Sequence, residues 1–163
     1  FIIDPGLPDL LSRTANLFGF IGAVFLIWQF ILGIRGVIKN VSTDYDWAIK
    51  THTYLGIGGG FFVILHPLLI NLVNEVSFLA IFALDFSNEY ASYLSYGKIS
   101  FLLFLTIWLT SWLLRKSLTY RAWLYIHYLS YPMLFFMLIH PFKIGTILNS
   151  NSFVLYLSIN APN

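Results

Sequence analysis

Four histidines are the residues of this chain best suited to chemistry: His52, His66, His127 and His140. Imidazole binds metals and changes charge near neutral pH. The chain has no cysteine, which removes thiolate ligands, disulfides and iron–sulfur clusters. The first two histidines sit in KTHTYLGIGGGFFVILHP, residues 50–67, and no Asp, Glu, Lys or Arg occurs from Thr51 to Asn74. An apolar run of about 20 residues or more reads as a membrane-spanning helix. A histidine inside such a helix is costly and reads as functional. Fourteen residues fall about 40° short of four helical turns, so both rings leave one face, about 21 Å apart.

The elements that must position these rings follow from composition. Of 163 residues, 58% are hydrophobic and 10% charged, against roughly 25% charged in a soluble domain. The expected fold is therefore all-α, a polytopic membrane helical bundle. Spans are expected at about 11–36, 48–73, 96–115 and 121–141, with a fifth beginning at 147–160. Residues 1–11 read as a surface lead-in, and 76–84 as an interfacial segment too short to cross. The single domain, 1–163, carries a net charge of +2, too small for a nucleic-acid footprint. The start at Phe1, without Met or a signal-peptide pattern, fits a fragment or processed product.

Charge sets the expected orientation. The connections around 35–50 and 115–121 hold Arg35, Lys39, Lys50, Arg115, Lys116 and Arg121, six of the nine basic residues. By the positive-inside tendency, loops 37–47 and 115–121 are cytoplasmic. The helices bearing the histidines then run in the same direction. His52 and His127 lie near the cytoplasmic end, and His66 and His140 near the outer end.

Two pairs at matched depths result. Facing imidazoles in a helix bundle suit haem iron, and two such groups would stand about 20 Å apart. With both axial positions filled, each would pass electrons without readily binding substrate. The 13-residue spacing of His127 and His140 puts their rings about 140° apart on an ideal helix. Pro132 lies between them, and a distortion is expected near 128–132. The competing reading is four polar residues hydrogen-bonded inside a bundle. One zinc ion shared by the pairs is excluded by their separation.

The run TSWLLRKSLTYRAWLYIHYLSYP, residues 110–132, and the spacing of the two histidine pairs resemble the ferric reductase-like transmembrane domain family, which includes ferric-chelate reductases and NADPH oxidases. The resemblance spans about residues 12–143. It implies two haem b groups, the inner held by His52 and His127 and the outer by His66 and His140. The family commonly adds a helix before the first one seen here and a cytoplasmic flavin and nicotinamide domain. FAD and NAD(P)H would accordingly bind on a missing domain or a separate subunit.

Supporting roles are expected of several residues. Gly56, Gly58, Gly59 and Gly60 would leave room for a porphyrin face or for a close helix. Arg115, Arg121 and Lys50 are placed for inner propionates, and Lys98, Lys143 and Arg13 for outer ones, although such residues also anchor helix ends. Trp108, Phe61, Phe62 and Tyr131 lie at mid-membrane depth, where one could fill the gap between haems. Glu75, Asp85 and Glu89 read first as a solvated acidic loop. The expected function is transmembrane electron transfer, from a cytoplasmic flavoprotein or other donor to ferric iron or oxygen outside. The alternative is a diheme cytochrome b carrier subunit of a larger respiratory or photosynthetic complex, with quinone or a protein as partner.

Overall fold

A computed structural model describes residues 6–34 and 45–144. Helix α1 (Leu7–Gly33) opens with Pro8 and Asp9 in its first turn, where a missing amide is harmless and a carboxylate favours the helix dipole. Helix α2 (Tyr45–Val73) carries Pro67 inside it. It stops at Glu75, which adopts a left-handed backbone (φ 54°) while the Val76 N–H reaches back to the Asn71 carbonyl at 3.0 Å. That is a Schellman-type end. A short 3₁₀ turn, Phe78–Ile81, follows. Helix α3 (Glu89–Trp112) is capped by Asn88, whose side chain accepts the Ala91 N–H at 2.9 Å. Helix α4 (Tyr120–His127) is capped by Thr119, and α5 (Ser130–Ile139) and α6 (Pro141–Ile144) complete the described chain.

Among the described residues, four segments are long and apolar enough to cross a membrane: α1, α2, α3, and α4 with α5 as one broken span. No strand occurs among the described residues. Helix α3 begins well before the expected residue 96, because Asn88 supplies a cap that outweighs the polar EYASYLSY run. The segment 76–84 forms only the 3₁₀ turn, with Phe78, Leu79 and Phe82 exposed. The expected fifth span, 147–160, and most of the 37–47 connection lie outside the described residues.

The helices form two closely packed pairs, α1 with α2 and α3 with α5, which touch each other sparingly. The pairs meet at a buried cluster of Leu26, Phe104, Ile107 and Met133. Ser100 fixes α3 to α5 by donating its hydroxyl to the Met133 carbonyl at 3.0 Å. The connection after α2 is tied to α3. Ser95 exchanges hydrogen bonds with the Asp85 backbone at 2.7 and 2.8 Å, and the Lys98 ammonium donates to the Ala83 carbonyl at 2.7 Å.

Candidate functional site

The four histidines line the seam between the two helix pairs. His52 faces His127 with ring centroids 6.1 Å apart, and His66 faces His140 at 6.5 Å. These are the pairings expected from depth, and they require α2 and the α4–α5 span to run in the same direction.

Helix α4 ends at His127 and α5 begins at Ser130, inside the stretch where a distortion was expected. Pro132 has no N–H and crowds the carbonyl four residues earlier. Around it the backbone tightens: Leu129 N–H reaches Ile126 at 3.0 Å and Tyr131 N–H reaches Tyr128 at 3.2 Å, both to the third residue back. Such winding adds about 20° per residue, which recovers part of the angular shortfall between the two rings.

Three of the four rings are seated in one way. His66 Nδ1 lies 2.8 Å from the Ala15 carbonyl, His52 Nδ1 3.1 Å from the Gln29 carbonyl, and His140 Nδ1 3.0 Å from the Tyr93 carbonyl. A carbonyl only accepts, so each Nδ1 carries the proton and each Nε2 keeps its lone pair for a metal. Each acceptor is followed four residues later by glycine: Gly19, Gly33 and Gly97. In a helix the side chain at that position lies over the turn before it and would shield the carbonyl. A Cβ on Gly19 would stand 2.8 Å from His66 Nδ1, and one on Gly97 would come closer still to His140. At Gly33 the gap to the His52 ring is 3.8 Å, an ordinary contact.

His127 is the exception. Its Nδ1 lies 3.5 Å from the Ser111 hydroxyl, which also accepts the Trp123 indole N–H at 3.2 Å. Trp123 stacks beside His127 at 4.8 Å between centroids, and the Arg115 guanidinium lies 4.7 Å over the Trp123 ring.

The other expected residues divide. Arg115 rests on Trp123, whereas Arg121 and Lys50 are exposed. Gly59 faces Phe25 of α1, where a Cβ would come 2.7 Å from the Phe25 Cβ, so its lack of a side chain serves helix contact. Arg13 pairs with Asp9 at 3.0 Å, and Lys98 holds the Ala83 carbonyl. The Lys143 side chain lies outside the described residues. Of the mid-membrane aromatics, Trp108 enters the seam. Its indole donates to the Gly56 carbonyl at 3.1 Å and packs over Gly60. Phe62 packs on Phe18 and Phe25, while Phe61 and Tyr131 are exposed. Among the acids, Asp85 caps its own turn by accepting the Ser87 N–H at 2.8 Å. That bond, helped by the Ser87 hydroxyl and Lys98, holds its carboxyl below the ordinary range.

The sequence profile of the ferric reductase-like transmembrane component family matches residues 18–138. The chain belongs to that family. The match covers all of the seam except His140 and the Ala15 carbonyl. No curated protein and no solved structure matches the chain. Family members usually bind haem, and membership points to electron transfer across a membrane. This ferric reductase-like chain is an integral multi-pass membrane protein by its four candidate spans and its family.

Sequence reasoning missed the carbonyl seats, Gln29, Ser111 and Trp123. A signal for the seats was present: Ala15 and Gly19, Gln29 and Gly33, and Tyr93 and Gly97 share one four-residue spacing.

Proposed function

We propose that the chain carries electrons across the membrane through two b-type haems. One would be held by His52 and His127, the other by His66 and His140. The observation that carries the reading is the ring spacing of 6.1 and 6.5 Å. Metal–imidazole bonds of about 2 Å, plus the half-width of each ring, would set two imidazoles facing across one metal ion about 6 Å apart. Among the described residues no group of three or more His, Cys, Asp or Glu converges on a metal. Two protein ligands per site suit a macrocycle that brings its own four nitrogens. A haem held by these residues would supply one-electron exchange.

The residues of the chain do the rest. The Nδ1 contacts of His52, His66 and His140 hold those rings and leave each Nε2 free for a metal. Trp108 would stand between the two haems, held by its bond to the Gly56 carbonyl and its packing on the central cluster. Arg115, over the ring of Trp123 that flanks His127, would be the propionate partner at that end, with exposed Arg121 as a second. By the charge of the loops, electrons enter at the His52–His127 end from a cytoplasmic flavoprotein or other donor. They leave at the His66–His140 end to ferric iron or oxygen, the acceptors typical of the family.

The test is a sealed vesicle holding the purified full chain, with an impermeant reductant on one side and an impermeant ferric chelate on the other. Reduction of the chelate by wild type, and its loss in His66→Ala, supports the reading. A vesicle equally inert with and without the protein contradicts it.

A further inference from the structure

Gln29 is a polar side chain in the apolar C-terminal half of α1, about one turn before the last helical residue, Gly33. An amide placed in hydrocarbon without partners is costly, and such residues earn a functional question. Two groups of Gln29, its backbone carbonyl and its side-chain N–H, go to one residue. The Gln29 carbonyl accepts from His52 Nδ1 at 3.1 Å, and the Gln29 side-chain amide donates to the His52 backbone carbonyl. The arrangement is reciprocal. The Gln29 carbonyl is uncovered by Gly33 four residues on, and the His52 carbonyl by Gly56 four residues on. A Cβ on Gly56 would stand 2.9 Å from Gln29 Nε2. Gly56 therefore makes space for this amide.

We propose that Gln29 is the positioning residue of the His52–His127 pair, setting the strength with which His52 donates to its metal. The proposal rests on the haem reading above. An imidazole whose Nδ1–H is shared with a carbonyl is a more basic ligand through Nε2, and a more basic ligand favours the oxidised metal. The side-chain bond keeps α1 in register with α2, so that the Gln29 carbonyl stays under Nδ1. His66 and His140 are each seated by the ring on a backbone carbonyl. Side-chain control is thus concentrated at one of the two sites.

The variant Gln29→Met keeps length and removes the donor. Redox titration of the purified full chain, followed optically, should resolve two one-electron waves in wild type. In Gln29→Met one wave should rise by about fivefold in its equilibrium, the worth of one neutral hydrogen bond. That is about 40 mV for a one-electron couple. The other wave should stay. Gly56→Ala retains the amide and displaces it, and should move the same wave in the same direction. The double variant should add nothing, as expected for two changes acting on one bond. If Gln29→Met does not accumulate, Gly56→Ala decides alone. Waves that stay in place in a haem-loaded variant, or that both shift alike, overturn the proposal and leave the haem reading standing. Wild-type protein with no haem overturns both.

Discussion

The two histidine pairs are built from the same residue and held by different means. At the His66–His140 end, both rings rest on backbone carbonyls, Ala15 and Tyr93, opened by Gly19 and Gly97. Backbone acceptors on packed helices hardly move. At the His52–His127 end, side chains take part: Gln29 clamps His52, and Ser111 with Trp123 flanks His127. A seat of backbone and glycine fixes geometry, whereas a seat of side chains can be adjusted by single substitutions. The first end is built for rigidity and the second for tuning.

The comparison breaks most sharply at glycine. Gly97→Ala places a methyl group in the His140 ring, and Gly19→Ala does the same less severely to His66. Loss of ligand orientation typically costs 10- to 100-fold in affinity. Gly97→Ala should therefore lose one haem and keep the other, by haem content per protein. Equal loss of both would mean that the ends are not independent. Ser111→Ala should act more gently and only at the other end, because the His127 contact is long at 3.5 Å. A shift of less than about fivefold in one redox equilibrium is expected. Retention of both waves after Gly97→Ala, with loss of one after Ser111→Ala, would reverse the assignment of rigid and tunable ends.

Trp108→Phe sharpens the comparison by touching none of the groups bonded to a histidine ring. It removes the bond to the Gly56 carbonyl and should cost about 1 kcal/mol of stability in detergent unfolding, with both haems retained. The smallest effect is expected at Asp85, beside the rigid end. Its carboxyl is held low chiefly by the Ser87 N–H. A lowered value means that the ionised form supports the turn at any pH above the ordinary carboxylate value of 3.8 and yields only as pH falls below it. Protection of the Ser87 amide from hydrogen exchange, relative to its free rate at each pH, should persist at pH 5 and fall well below 3.8; protection already lost at pH 5 would contradict the cap.

The histidine pairs and the membrane class were legible because charge depletion and helical spacing are properties of residue order alone. The break before Pro132 was legible for the same reason: a missing N–H is local chemistry. The seats were harder, because a carbonyl acceptor has no letter in a sequence. Only the absence of a side chain four residues later marks it, and Gly59 shows that the same absence also serves ordinary helix contact. Gln29 was hidden by its neighbours, one polar residue in a helix otherwise read by hydropathy. The start of α3, expected near 96, falls at Glu89 because the Asn88 cap starts the helix inside a run too polar to mark it by hydropathy.

The most direct measurement is a pyridine haemochrome assay of the purified full chain with a protein determination, on wild type and on His66→Ala. Two b haems per chain in wild type and one in the variant are predicted. No haem in wild type, or none left in the variant, contradicts the account of two separately held iron cofactors.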